Sequence, residues 1–173
     1  MNALALLLAG FALLTPLSAG ISIDGTALQA SVMTLPPGNH SFSSFDVASP
    51  LLIRGHSPET TMLRCAGECA TIRVTSLFTL ESLTLESCGC DALDVEGAAE
   101  LRNVQLIGSF YCGGNLNLTH VNASDGIVDG GCALRWQGGR MDGNLLIAGV
   151  DSQTNIENVA LADVLGFKSL SSR

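Results

Sequence analysis

A pattern that recurs about every twenty residues constrains the fold of this 173-residue chain more than any other feature. Each copy contains two pairs of apolar residues. One residue lies between the members of a pair, and two residues lie between the pairs. The second apolar positions of successive copies lie 21, 17, 18 and 20 residues apart. Alternation with a period of two is typical of β-strands. The copies, of which the fourth is degenerate, are Phe78–Leu85, Ala99–Leu106, Leu116–Ala123, Leu134–Met141 and Thr154–Leu161.

The length of the repeat and the segments between copies predict the architecture. A period near twenty residues is typical of solenoids, in which each coil buries its apolar side chains against the next coil. The leucine-rich repeat unit does not fit, and no helical pattern separates the copies. The intervening segments are rich in Gly and Asp, and their short apolar pairs, Leu93/Val95 and Ile127/Val128, indicate a third strand. We therefore expect an all-β, single-stranded parallel β-helix of about seven short coils.

The segment before the first copy resembles a known superfamily. The stretches "PLLIRG", "TTMLRC" and "ATIRV", followed by "LFTLESLTLESC", are similar to the opening coils of pectin-lyase-like right-handed β-helix proteins. The resemblance covers about residues 50–162 and implies a right-handed helix. It also implies a bend before the third apolar position, where related helices stack Asn side chains from coil to coil. The residues of this column are Ser82, Asn103, His120, Gly138 and Asn158.

The regions outside the repeat predict the domain organisation. Residues 1–19 are apolar and end in Leu17-Ser18-Ala19, a pattern typical of a cleaved signal peptide, with an uncleaved membrane anchor as the alternative. Residues 20–49 are expected to form an N-terminal cap, because a bare end would expose unpaired strand edges. The coils occupy 50–162, and 163–173 form a C-terminal tail or cap. We expect a secreted or cell-surface protein with no membrane segment after cleavage.

Six cysteines follow the predicted signal peptide, and their even number favours disulfides over a metal site. No pair of His residues accompanies them at the distances typical of zinc sites. Their recurrence close to once per coil predicts bridges between coils, although six cysteines allow fifteen pairings. The candidates are Cys65, Cys69, Cys88, Cys90, Cys112 and Cys132.

The net charge of −8 excludes some classes of partner. No basic stripe is available to displace the counterions of a nucleic acid, and bulk attraction to anionic lipid or acidic polysaccharide is also disfavoured. One outward pair, Glu81 with Arg102, is expected to meet across one coil gap. Asn39, Asn117 and Asn122 lie in glycosylation sequons.

No catalytic motif accompanies the repeat. The D-D, G-H-G and R-x-K segments of enzymes in the superfamily do not occur. Two groups of carboxylates in the connecting segments are candidates for a Ca²⁺ site or an acid/base pair, although the favoured interpretation is that they occupy bends and the solvated face. The first group is Asp91, Asp94 and Glu96, and the second is Asp125, Asp129 and Asp142.

Two arginines near the only tryptophan complete the candidate site. Arg135 and Arg140 can bind carboxylates bidentately, and an exposed Trp136 would stack on a sugar. The repeat, however, places Trp136 inward, where it would fill a core widened by Gly138 and Gly139. The binding candidates are therefore Arg135, Arg140, Asp125, Asp129 and Asp142, with no catalytic residue and no metal ligand assigned.

These observations favour a secreted, non-catalytic β-helix module that binds an extracellular glycan or a surface protein, or that has a structural role. No cofactor is expected, with Ca²⁺ as the one alternative. A small polysaccharide lyase or hydrolase with an unrecognised carboxylate site remains a second hypothesis. A fragment of a larger surface adhesin is a third. The ligand and the oligomeric state cannot be read from the sequence.

Overall fold

A computed structural model describes residues 22–23, 26–27, 31–148 and 151–163. Within these ranges the chain contains no helix and forms one 13-stranded sheet that winds into a parallel β-helix. The strands are β1 Ser22–Ile23, β2 Thr26–Ala27, β3 Val32–Thr34, β4 Gly38–Phe42, β5 Phe45–Val47, β6 Leu51–Arg54, β7 Thr61–Cys65, β8 Ile72–Val74, β9 Leu77–Val95, β10 Ala98–Cys112, β11 Asn115–Val128, β12 Ala133–Ile147 and β13 Gln153–Asp163.

Each coil has three strand segments, and equivalent segments stack into three parallel faces. Coil 1 comprises β3–β5 and coil 2 comprises β6–β8. Coils 3 to 6 are the long bent strands β9 to β12, and β13 begins a further turn. Face 1 contains β3, β6 and the first part of each long strand. Face 2 contains β4, β7 and the middle parts, and face 3 contains β5, β8 and the last parts.

The right-handed parallel β-helix predicted from the repeat is confirmed, with about six turns described. The third strand is also confirmed, because Leu93 and Val95 are buried in face 3 and Ile127 and Val128 continue that face two coils later. Inward side chains stack into continuous columns, and in coils 3 to 5 every apolar position of the repeat is at most 2% exposed. In β13 these positions are only half-buried or exposed, since no described coil covers them.

The bend column has the conformation that the resemblance implied. Ser82, Asn103, His120 and Asn158 have φ between 51° and 56°, and Gly138 has φ of 70°. This left-handed conformation at a single residue turns the chain from face 1 into face 2. Asn and Gly accept it most readily. The amide of Asn103 also donates to the hydroxyl of Ser82 in the coil below, at 3.5 Å.

Three disulfides join successive parts of the helix, as predicted from the spacing of the cysteines. Cys65–Cys88 and Cys69–Cys90 connect coil 2 to coil 3, with Cα–Cα distances of 6.0 and 5.3 Å. Cys112–Cys132 connects coil 4 to the turn that precedes β12, with a Cα–Cα distance of 5.6 Å. Each bridge closes a loop about as long as one coil, so each links neighbouring turns of the solenoid.

At the N-terminal end, β1 pairs antiparallel with β2 and with β4, and buried Ile23 lies opposite Phe42. The predicted cap range also includes coil 1, whose strands are already parallel to those of coil 2. The predicted signal peptide and the tail after residue 163 lie outside the described residues. In the part of the chain that the structure describes, no helix is long and apolar enough to cross a membrane.

Candidate functional site

One concave site lies on face 3 and spans coils 1 to 4. It is an open groove of about 640 Å³, hereafter the face-3 groove. It combines three carboxylates, one guanidinium and three hydroxyls, a mixture suited to hydrogen bonding. Its lining residues are Ser44, Asp46, Thr71, Arg73, Gly89, Cys90, Asp91, Asp94 and Ser109.

The floor of the groove follows from strand alternation on face 3. Three short strands place one outward residue between two inward apolar ones, in the segments "FDV", "IRV" and "LDV". Their central residues, Asp46, Arg73 and Asp94, stand in register across coils 1 to 3. The fold therefore lines up one charged side chain per coil along the groove.

One wall of the groove comes from an insertion in coil 3. Glu86 pairs with Ile107 and Asp91 pairs with Ser109, so that residues 87–90 stand opposite a single residue of coil 4. The Cys69–Cys90 disulfide ties this insertion to the segment that precedes β8. The backbone near Gly89 and Cys90 is thereby held beside the outward column.

The polar groups of the groove are only partly satisfied by one another. Arg73 Nε lies 3.4 Å from Asp94 Oδ2, a long contact for an ion pair. Asp94 Oδ1 is buried and has no hydrogen-bond partner in the described structure. The hydroxyl of Ser109 donates a short hydrogen bond to Asp91 Oδ1. A carboxylate such as that of Asp94 therefore retains capacity to accept hydrogen bonds.

The outward column of face 3 becomes apolar beyond the groove. Tyr111 follows Asp94 in register, and Ile127 and Leu146 continue the column at 36% and 43% exposure. The hydroxyl of Tyr111 donates to Asp129 Oδ2 at 2.7 Å. The half-buried phenol is thus fixed at the end of the groove, with its ring beside Gly113.

The hydrogen bond between Tyr111 and Asp129 shifts the pKa of both groups. The pKa of Asp129 falls below 3.8, chiefly because its carboxylate accepts from the Tyr111 hydroxyl and also from the Gly130 N–H. The pKa of Tyr111 rises above 10.0, first because of the same hydrogen bond and then because of burial and nearby carboxylates. Both shifts favour the state in which the Tyr111 phenol is protonated and the Asp129 carboxylate is ionised.

The five predicted binding residues occupy different parts of the surface. Arg140 and Asp142 form an ion pair on face 2, with Nε and Oδ1 2.6 Å apart. Asp125 accepts the backbone N–H of Asn144 at 2.8 Å, between faces 2 and 3. Asp129 lies directly after the last residue of β11, at the end of face 3 and next to Tyr111. The structure brings Arg140 and Asp142 together but does not gather all five residues into one site.

Arg135 stands apart from that pair, on face 1. It is exposed and in register between Asn117 and Asn155. Two smaller cavities, of about 420 and 300 Å³, both include Arg135 and Asn117. Face 1 therefore offers a guanidinium flanked by amides, beside cavities smaller than the face-3 groove.

Other predicted residues can also be placed. Trp136 is fully buried, as the repeat predicted, and packs edge-to-face on Phe110. The sequon residues Asn39, Asn117 and Asn122 are exposed, which is compatible with modification. No group of three or more His, Cys, Asp or Glu side chains within the described ranges is arranged to hold a metal ion.

Sequence reasoning identified Asp91 and Asp94 among the carboxylates of interest but missed most of the groove. Arg73 and Asp46 could have been found from the shared apolar–charged–apolar triplets of face 3. Ser44, Thr71 and Ser109 carry no such signal, because isolated hydroxyls are common in the turns of any β-helix.

Comparisons with family models, with curated proteins and with solved structures found no match to this chain. The parallel β-helix is therefore established by the structure itself.

Proposed function

We propose that this protein is an extracellular, non-catalytic module that binds a polysaccharide chain along the face-3 groove. The three disulfides support an extracellular location, because such bridges persist in oxidising compartments. The likeness to pectin-lyase-like proteins over residues 50–162 is part of the same proposal, and it supports a glycan as the ligand.

The observation that carries the proposal is the shape and lining of the groove. With coils about 4.8 Å apart, a groove across coils 1 to 4 is about 15 Å long, which suits a short stretch of polymer. Carboxylates, hydroxyls and the Arg73 guanidinium are distributed over the four coils. Planar, multiply bonding side chains of this kind are well suited to the hydroxyl pairs of sugars.

Tyr111 adds a second reason to expect a sugar. Its ring follows the last charged residue of the column, and its hydroxyl is anchored by Asp129. An aromatic ring with an anchored polar end provides a rigid surface on which the apolar face of a sugar ring can pack. A polymer lying along face 3 would meet the polar groups first and this ring next.

The proposal can be tested by affinity electrophoresis of the purified protein in gels that contain neutral, acidic or amino polysaccharides. Retention by one class, weakened in Arg73→Ala and unchanged in Arg140→Ala, is the expected result. The two arginines make a matched pair, because each is about half exposed and faces one carboxylate, but only Arg73 lines the groove. Equal retention of both variants would exclude the groove as the binding site.

Mass spectrometry of the same polysaccharides after incubation separates binding from catalysis. Unchanged polymers are expected. Shortened products that disappear in Asp91→Asn or Asp94→Asn would instead support the polysaccharide-acting enzyme. Absence of retention by every class would leave a protein partner or a structural role.

A further inference from the structure

We infer that the Cys69–Cys90 disulfide is a site of thiol–disulfide exchange and that its reduction loosens one wall of the face-3 groove. Exposed disulfides are the ones that external thiols reduce most readily. Cys69 is exposed, and Cys90 is half-buried and lines the groove. The exchange itself does not depend on the proposed glycan-binding function, whereas its effect on ligand retention rests on that function.

The other two bridges are better protected from an attacking thiol. Cys112 and Cys132 are 0% and 1% exposed, and Cys65 is 6% exposed. Cys88 is half-buried and packs against the core. Because a thiolate has to reach a sulfur atom directly, the order of exposure predicts the order in which the bridges are reduced.

The reaction needs a dithiol from outside the protein, either a small molecule or a reductase. Its thiolate attacks Sγ of the exposed Cys69, the S–S bond breaks, and Cys90 leaves as a thiolate that takes up a proton. The second thiol of the reductant then releases Cys69 from the mixed disulfide. The reductant ends as a disulfide and the protein gains two thiols, so two electrons are transferred.

The bridge matters for the groove because it holds a segment that strand pairing does not hold. Residues 87–90 have no partner in the described registers between coil 3 and its neighbours, coils 2 and 4. Cys65–Cys88 remains after reduction of Cys69–Cys90 and still joins coil 2 to coil 3. Reduction should therefore release Gly89 and Cys90 from the segment before β8, while the stacked columns of the interior stay in place.

Differential thiol labelling tests the exchange. The folded protein is incubated with dithiothreitol at about pH 8, and the new thiols are trapped with N-ethylmaleimide at intervals and assigned by mass spectrometry. Cys69 and Cys90 are expected to be labelled about tenfold faster than Cys112 and Cys132. Equal labelling rates for all three bridges, as global unfolding would give, would overturn the inference. Earlier labelling of another bridge would also overturn it.

Two double variants assign the fast reaction. Cys69→Ala combined with Cys90→Ala should abolish the fast phase and leave the slower labelling of the other bridges. Cys112→Ala combined with Cys132→Ala is the matched control, because it also removes one bridge between neighbouring turns but should keep the fast phase. A fast phase that survives in the first variant would overturn the assignment. Unfolding midpoints establish that each variant is folded, and the first variant alone decides the assignment if the second does not fold.

Hydrogen exchange measures the effect on the wall of the groove. After selective reduction, the amides of residues 87–92 should exchange about threefold faster, while those of residues 115–123 in coil 5 keep their rates. Unchanged exchange at residues 87–92 would overturn the loosening of the wall.

The polysaccharide gels separate this inference from the proposed function. A polysaccharide that retains the oxidised protein should retain the selectively reduced protein less strongly. Equal retention of the two forms would overturn the effect of the bridge on ligand binding. Absence of retention by every polysaccharide would reject the proposed function, whereas the labelling rates would still decide whether Cys69–Cys90 is the exchange site.

Discussion

The indole N–H of Trp136 donates a hydrogen bond to the carbonyl oxygen of Gly138, 3.0 Å away. The largest side chain of the core is thereby connected to the bend that follows it within β12. The next residue, Gly139, occupies a column that holds Leu or Val in the other copies, and a Cβ there would overlap the backbone of Val121. Gly139 therefore has to lack a side chain because the backbone of Val121 approaches it closely.

Truncating this tryptophan should strongly destabilise the fold. Trp136→Ala removes a fully buried side chain together with its edge-to-face contact with Phe110, and should cost about 3–5 kcal/mol. Denaturant unfolding with the disulfides intact measures the loss. The matched control is Arg135→Ala, one residue earlier and exposed, which should change the free energy of unfolding by at most about 0.5 kcal/mol. Equal effects of the two changes would contradict the inward assignment of Trp136.

The bend column predicts different effects of two substitutions at one position. Asn103 has φ of 52°, so Asn103→Val should destabilise by about 1–2 kcal/mol, because a β-branched side chain is strained in this conformation. Asn103→Gly should be close to neutral, since glycine accepts positive φ without strain. Gln105→Val, at an exposed strand position two residues later, controls for the introduction of valine. If both valine variants lost the same stability, strain at the bend would not be the cause.

The contact between Tyr111 and Asp129 predicts a stability difference that depends on pH. Folding lowers the pKa of Asp129, so its stabilisation is present above 3.8 and is lost as pH falls through the lowered value. Folding raises the pKa of Tyr111, so its stabilisation is present below 10.0 and is lost as pH rises through the raised value. The difference in unfolding midpoint between the wild type and Tyr111→Phe should therefore be constant from about pH 5 to 9 and shrink outside that window.

Asp129→Asn provides the control for this prediction. It removes the titrating carboxylate, so the Tyr111→Phe change made in that background should have the same effect at every acidic and neutral pH. A pH-dependent difference that survives in the Asp129→Asn background would assign the effect to another carboxylate.

The three disulfides should contribute unequally to stability. Cys112–Cys132 is the single bridge across its loop, and its two residues are 20 positions apart in the sequence. Replacing both by Ala should therefore lower the free energy of unfolding by about 3 kcal/mol. Cys69–Cys90 lies beside Cys65–Cys88, which closes nearly the same loop. Replacing only Cys69 and Cys90 by Ala should therefore cost about 1 kcal/mol, because the remaining bridge still restricts the unfolded chain.

Denaturant unfolding of the two double variants measures this contrast. Removal of all four cysteines that join coils 2 and 3 should cost much more than the sum of the two separate pair removals. Simple additivity would show that the two bridges restrict the unfolded chain independently.

The inward half of the structure was predictable from the sequence. An inward position tolerates only side chains that fill a column, so Leu80, Leu101 and Leu118 recur with a period that can be read directly. The bend column was predictable for a related reason, because few residue types accept positive φ. The Glu81–Arg102 pair was also predicted, and the structure extends it to Arg54 and Glu100 as an exposed network.

The candidate site was far less predictable, because outward positions accept almost any polar residue. Which outward residues become neighbours depends on the length of each coil, and coil 3 is 19 residues long where coils 4 to 6 have 14 or 15. Asp91 meets Ser109 only because four residues between Glu86 and Asp91 are accommodated at one corner. The disulfide pairing depends on the same insertion, which places Cys88 and Cys90 beside coil 2.

Every register shift among the described pairs of long strands falls at or next to the corner between faces 2 and 3. Insertions at this corner leave the stacked columns before and after it in phase, so the surface can be remodelled there without repacking the interior. The corner is thus a suitable position for inserting additional loop residues. Inserting residues in coil 4 near Gly108, or in coil 5 near Ser124, would form new side walls along face 3 and extend the groove toward the C-terminal end. Such insertions offer a way to change by design which ligands the groove binds.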